Sequence, residues 1–436
     1  MNKLYVLILL LCISCSNRQK EVAVSIENET DSIQSEVLEQ ASEPFFQIDL
    51  FKEMKKAQKG QLKLSDFFQS IEYVPLETKS ESLIGGGRHG IENYLVTEKV
   101  IVADMKIFDR KDGHYIGDLL SQGQGPQEYT HAMGVTADDE CEEFYIYDIS
   151  KMTVHVVGYD NTHKGLIGVG DYAGVQTLYN GNLLIPHQNT GYNKRRDVFY
   201  IVNKDSKKKV YEQISPKIKG IQLLEDLINC ERIGYLENKD KIKTYFSVRG
   251  SIFNKIWQYD KKVRYYDTLT DTVYSLSSDF KICPIGYIDT EKLRMTQEEY
   301  ETPHKKRYFN VYELNSIREF SKGFLIDLVI RKNASKESEY YTLFYSKNNH
   351  NVQTVYRKSD EKIQLFKNDL DQGFDFSPSY SWKSGMYRFL SAEKIKEYIA
   401  KKGAAFFTTK EGKAFKAMGD KLKYDDNEVV VILKWK

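Results

Sequence analysis

The residues of this sequence that could do chemistry are few, and most stand alone. Eight histidines are scattered singly, with no H-E-x-x-H and no Cys/His pairing at zinc spacing, so the pattern gathers no nitrogen or sulfur ligands for a metal. Asp369, Asp371 and Asp375 offer carboxylate oxygens of the kind Ca²⁺ takes, but the calcium-loop spacing with a terminal bidentate Glu is absent, and Asx-turns account for them more simply. Gly123-Gln124-Gly125-Pro126-Gln127-Glu128-Tyr129 and Gly85-Gly86-Gly87-Arg88 look like phosphate cradles. A cradle needs N–H groups at a helix start; Pro126 removes one donor, and strand-like runs follow instead of a helix. There is no G-x-S-x-G elbow, and paired glycosidase carboxylates, drawn from distant segments, leave no local signature. The spacing therefore implies no catalytic residue, no metal and no cofactor.

Five cysteines complete the inventory. Cys12 and Cys15 have C-x-x-C spacing, which in a redox protein needs a folded helix start to depress the thiol pKa. Here they end an apolar run from Leu4 to Ile13 that follows Lys3, the pattern of a secretory signal and too short to span a bilayer. Cys12-Ile13-Ser14-Cys15 resembles a bacterial lipobox, which implies cleavage after residue 14, lipidation of Cys15 and anchoring in the cell envelope, with the outer membrane as the expected address. Cys141, Cys230 and Cys283 are odd in number and are expected as buried thiols. The formal net charge of +1 falls to zero once Lys3 leaves with the signal, which argues against a nucleic-acid partner. Residues 15–45 are polar and acidic, a flexible tether between lipid and folded body.

From residue 46 onward, the elements that must position any site are short strands. Val100–Asp104 and Phe144–Asp148 are apolar or aromatic runs closed by an Asp, and each is followed by a second hairpin, Ile107–Gly113 and Val157–Gly165. Looser copies recur at Ile201–Ser206, Tyr266–Asp271 and Phe344–Asn349. Such a period of short strands is that of an all-β propeller, one four-stranded blade per repeat, and it sets an irregular β-sandwich aside because a sandwich has no reason to repeat an outer hairpin. The six blades implied by the family resemblance given below would average about 65 residues over 46–436, above the 40–50 of compact blades, so insertions are expected. Helical spacing places them at Gln222–Ile228, around Thr290–Tyr300, and at Ser391–Ile399, where Ser391 is the N-cap and Gly403 the stop. Ring closure is expected between Ile71–Leu76 and Val429–Leu433.

The order Gly123–Tyr129, Gly134–Asp138, Phe144–Asp148 resembles an NHL-type propeller repeat. With Leu62–Asp66, Ile71–Thr78, Asn368–Gly373 and Asp426–Ile432 it resembles the six-bladed β-propeller lipoproteins of Bacteroidota. That resemblance covers residues 46–436 and implies fold and envelope address. Propellers bind at the mouth of the central funnel, where candidates are Arg88, His131, His187, Arg249, Tyr380 and Trp382. The expected function is non-catalytic capture of a glycan or peptide ligand, or of an envelope protein partner, as an accessory to nutrient uptake. The alternative is a hydrolase or lyase with its active site at the funnel mouth.

Overall fold

The computed structural model describes residues 45–85, 93–169, 176–177, 182–186, 197–214, 255–259, 262–267, 271–277, 279–290, 293, 312–332, 337–358, 364–377, 380–382 and 384–436. The chain first lays down β1 (Phe46–Asp49), α1 (Leu50–Lys55), β2 (Gln58–Lys59), β3 (Leu62–Lys63), α2 (Leu64–Phe67) and β4 (Phe68–Pro75). Blade I follows as β5 (Tyr94–Val96), β6 (Val100–Ala103), β7 (Lys106–Asp109) and β8 (Tyr115–Asp118). Blade II is β9 (Ala132–Asp138), β10 (Glu143–Asp148), β11 (Thr153–Gly158) and β12 (His163–Gly168). Blade III is β13 (Gln176–Thr177), β14 (Asn182–Pro186), β15 (Asp197–Asn203) and β16 (Lys209–Ile214). Blade IV is β17 (Lys255–Tyr259), β18 (Lys262–Asp267), β19 (Thr272–Leu276) and β20 (Ile282–Asp289). Blade V is β21 (Tyr312–Phe320), β22 (Gly323–Arg331), β23 (Ser338–Ser346) and β24 (Val352–Lys358). After β25 (Phe366–Lys367), blade VI uses β26 (Tyr380–Trp382), β27 (Gly385–Leu390) and β28 (Val429–Trp435), with β4 as its outermost strand. The protein is a six-bladed β-propeller: the strand period implies the propeller and the family resemblance its six blades.

Blade centres are packed on both faces, which is why β6 and β10 are buried at every position instead of alternating. The outer hairpins repeat in their hydrogen bonds as well as in their sequence. Gly113, Lys207 and His350 each adopt positive φ and donate their N–H to the carbonyl four residues back, at Asp109, Asn203 and Ser346. Asn161 does the same job in blade II with a bond to Gly158. A left-handed residue near the end of a turn lets the flanking strands keep their twist. The Tyr266–Asp271 copy is different: it joins the second and third strands of blade IV, not the outer pair.

Closure occurs where the sequence places it. β28 pairs antiparallel with β4, Val429 opposite Pro75 and Leu433 opposite Ile71. What precedes β4 is unexpected. Residues 46–67 run around the outside of the ring as a strap. β1 adds to the edge of blade IV, parallel to β20 with Phe46 opposite Gly286. β2 adds to the edge of blade V, parallel to β24, and β3 pairs with β25 before blade VI. A Cβ on Gly286 would lie 2.2 Å from the Phe46 ring, so glycine is what lets the strap seat there. The strap buries Phe46, Ile48, Leu50, Leu62, Leu64 and Phe67 and covers two sheet edges that would otherwise be open.

Blade VI carries the described insertion, α3 (Ala392–Lys402) and α4 (Lys410–Lys421), between β27 and β28. Ser391 caps α3 through Lys394 N–H, and Gly403 at φ 75° ends it, as expected. α4 was not legible: its buried face is Gly412, Phe415 and Gly419, two of them without a side chain. Gly419 is where α4 meets α3, since a Cβ there would fall 2.2 Å from Ile399 Cδ1. The helix expected at 222–228 lies outside the described residues, as does the 290–300 stretch apart from Thr290 and Leu293.

Candidate functional site at the funnel mouth

Inner strands β5, β9, β13, β17, β21 and β26 surround the axis. Their N-terminal ends share one face of the ring, here the upper face, with the turns between second and third strands. The repeated closing Asp has its role there. Asp148 is fully buried, and its carboxylate accepts the N–H groups of Thr130 (2.6 Å), His131 (3.2 Å) and Ser150 (3.0 Å), fixing the start of β9 against the β10–β11 turn.

The Gly123–Tyr129 loop leads into the same strand, and its polar groups turn inward. Glu128 Oε2 accepts from Gly125 N–H at 2.7 Å, while Lys151 Nζ donates to the carbonyls of Gly125 and Glu128 at 2.8 and 2.6 Å. A Cβ on Gly123 would sit 2.0 Å from that Glu128 oxygen. The loop holds its own carboxylate where a phosphate cradle would hold a ligand, so it is structural. The aspartates at 369–375 behave likewise. Asp369 accepts from Ser65 N and Oγ, Asp371 from Asn368 and Gly373, and Asp375 from Asn368 N–H. Burial pushes the Asp371 carboxyl up, and donation from Tyr73, Gly373 and Asn368 offsets part of that.

Of the six residues expected at the mouth, Arg88, His187 and Arg249 lie outside the described residues. His131 is exposed at the head of β9. Tyr380 and Trp382 lie on β26, but at its opposite ends. Tyr380 is half-buried at the upper end, with its ring stacked 5.1 Å from Tyr387. Trp382 packs edge-on to Tyr387 at 5.7 Å and donates its indole N–H to Glu98 at 3.2 Å near the lower turn. The two rings are thus joined through Tyr387 in the packing between blades VI and I. Beside Tyr380, Tyr94 at the head of β5 bonds Glu428, and burial pushes the Glu428 carboxyl up.

Two charged constellations, around Glu143 and Glu319, were not legible because their members are far apart in sequence, and a local histidine pair at His155 was not singled out either. Glu143, buried at the lower end of blade II, accepts from Lys204 (2.7 Å) and Lys164 (3.0 Å) and from Tyr145 Oη (2.6 Å). Burial opposes its charge, but these donors outweigh that and bring the carboxyl to about 2. Glu319 accepts from Trp257 Nε1 (2.9 Å), Arg264 Nε (3.2 Å) and Lys347 Nζ (2.8 Å), joining blades IV and V. His155, on β11, lies 3.4 Å from His163 and 3.9 Å from Asp148. Among the described residues one group has metal-like spacing, Asp109, Asp112 and His114. It sits on an outer hairpin away from the funnel, where Asp109 and Asp112 accept from the N–H groups of Lys111 and His114. Cys141 is exposed in a hairpin turn, correcting its expected burial, and Cys283 is half-buried.

His155 gives a pH prediction. Burial first, and the neighbouring His163 second, lower its pKa to about 4, whereas an unfolded chain titrates near 6.5. The fold holds the ring neutral, so its contribution is complete above about pH 6.5 and is lost as pH falls from there toward 4. Acidification from pH 7 to pH 5 should therefore lower the urea midpoint, and His155→Leu should flatten that dependence. Equal slopes for both proteins would refute the assignment.

The chain matches the family model DUF4934, a domain of unknown function, over residues 45–434. It belongs to this family. No curated protein matches it. Among solved structures it is similar to a protein of Bacteroides fragilis described as exported, at 13% identity and TM-score 0.58, over 90% of this chain and 99% of that one. It is also similar to a DUF4221-family member from Bacteroides vulgatus, at 10% identity and TM-score 0.40, over 85% of this chain and 97% of that one. The first likeness supports the six-bladed ring of this DUF4934 chain.

Proposed function

We propose that this DUF4934 protein is an exported, lipid-anchored propeller that captures a polar ligand, a glycan or peptide, at its funnel mouth without transforming it. The observation that carries the reading is the contrast at the upper face. Asp148 and Glu128 are engaged in fixing the start of β9 and its leading loop, while the His131 ring is exposed at the head of that inner strand and Tyr380 stands half-buried at another, beside Tyr94 and Glu428. An aromatic ring with an adjacent polar group suits the apolar faces and hydroxyls of sugars or the side chains of peptides. The lipobox-like Cys12–Cys15 and the description of the Bacteroides fragilis relative support the export. An envelope protein that delivers or receives the ligand, such as a nutrient transporter, fits the same address.

Glycan and peptide arrays probed with the full chain test the capture, with His131→Ala and Tyr380→Ala as controls. Binding that weakens in both variants supports the mouth; binding that ignores both, or products released from the array, overturns the reading. Cys15→Ser should move the protein from the membrane fraction to the soluble envelope fraction, and persistence at the membrane would sink the lipid anchor.

A further inference from the structure

A second recognition surface is built into the crevice between blades V and VI, and it does not depend on the funnel-mouth reading. Every strand of blade V faces blade VI with an apolar residue toward the lower side and a polar one two residues away toward the upper side. Phe320, Leu325, Phe344 and Val355 enter one core cluster with Met386 and Leu390 of β27. Two residues along the same strand faces stand Arg318, Asp327, Thr342 and Arg357, and between Met386 and Leu390 stands Arg388. On the blade V wall the lower half of the crevice is therefore hydrocarbon and the upper half polar, while on the blade VI wall Arg388 projects between Met386 below and Leu390 above.

The charges in that upper half do not balance. Arg318 pairs with Asp327, whose oxygens also accept from Ser316 (3.0 Å) and Thr342 (2.7 Å). Arg357 has a 3.4 Å bond to Thr342 Oγ1 and lies 5.8 Å from the Tyr340 ring. Among the described residues Arg388 bonds the neutral amide of Gln364, at 3.2 Å. Neither Arg357 nor Arg388 forms an ion pair among the described residues. Asp375, which reaches this region through Gln61, already accepts from Asn368 N–H and Gln61 Nε2. Among the described residues, Asp327 is thus the one carboxylate that pairs with any of the three guanidinium groups. Burial lowers the pKa of both Arg357 and Arg388, with Asp327 offsetting it only for Arg357. A guanidinium carries five donors in a fixed fork, and among the described residues Arg357 and Arg388 each place one of them on a neutral acceptor, Thr342 Oγ1 and Gln364 Oε1. Half-buried, unneutralised arginines are costly, and they persist where an anion completes them.

We propose that the upper half of the blade V–VI crevice binds an oxyanion group of a small ligand, a carboxylate, phosphate or sulfate, gripped from opposite walls by Arg357 and Arg388 with Arg318 beside them. Thr342 Oγ1 and the Tyr340 ring complete the wall on the blade V side. Because the donors come from two blades, occupancy also bridges blades V and VI, next to the closing seam.

The test compares sodium phosphate, sulfate and succinate at about 10 mM with sodium chloride at matched ionic strength, by thermal unfolding and titration calorimetry on the full chain. At least one oxyanion is expected to raise the unfolding midpoint by several degrees beyond chloride, and whether the tetrahedral ions or the dicarboxylate act separates the sources. Arg357→Gln and Arg388→Gln should each weaken that binding by on the order of tenfold, while Arg388→Lys retains part of it. Neither Gln variant should unfold more easily in chloride buffer, since each removes an unneutralised charge. Equal shifts with chloride, binding untouched in the double variant, or a large loss of stability on Arg388→Gln alone would each overturn the proposal.

Discussion

Glu319→Ala is expected to lower the free energy of unfolding by about 3–5 kcal/mol, the cost of removing one partner from a buried ion pair. The Glu319 side chain is fully buried and so is that of Arg264, from whose Nε it accepts at 3.2 Å. Truncation also takes the acceptor from Trp257 Nε1 and from Lys347 Nζ. Lys347 would lose less, because its ammonium is partly exposed and lies 4.0 Å over the Tyr259 ring. The measurement is urea unfolding at neutral pH. Glu319→Gln should fall between the two proteins, retaining an acceptor but not the charge. A loss below about 1 kcal/mol for Glu319→Ala would place the pair with solvated surface bridges instead.

The second large effect concerns the strap. Phe46→Asp combined with Ile48→Asp removes two side chains that are 4% and 1% exposed, each worth about 2 kcal/mol or more in burial, and sets carboxylates in their place. Phe46 packs 4.7 Å from Phe324 and 5.2 Å from Tyr345, so the damage reaches blade V as well as blade IV. Residues 46–67 should become sensitive to protease before the ring unfolds, and the freed β20 edge should drive association on size-exclusion chromatography. An unchanged cleavage pattern would show that the strap is held elsewhere.

Much of the fold was legible because it is local. Val100–Asp104 and Phe144–Asp148 announce two central strands by unbroken apolar runs, and the outer hairpins of blades I and II announce themselves by Gly113 and Asn161 at the positive-φ position, which Lys207 and His350 fill in blades III and V without such a signal. Val429–Leu433 was recognisable as a fully buried strand and needed a partner from the other end of the chain. The strap was not legible, because two-residue strands such as Gln58–Lys59 have no periodicity, and a parallel edge pairing leaves no turn signal. The charged sites failed for a different reason. Glu143 meets Lys204 across 61 positions and Glu319 meets Arg264 across 55, and only the order of the blades makes them neighbours. A partial signal for the crevice arginines did exist: Arg318, Arg357 and Arg388 each lie two residues from an apolar member of a strand, on the face that a propeller buries.

The strap also decides where force enters the molecule. Any load carried by the chain that precedes Phe46 arrives first at the outer edge of blade IV, along the parallel β1–β20 pairing, and not at the β4–β28 seam that closes the ring. To reach the seam it must also part the β2–β24 and β3–β25 pairings in turn. The strap therefore acts as strain relief: a tug on the preceding chain is taken up by three successive attachments around half the circumference before the clasp of the ring feels it.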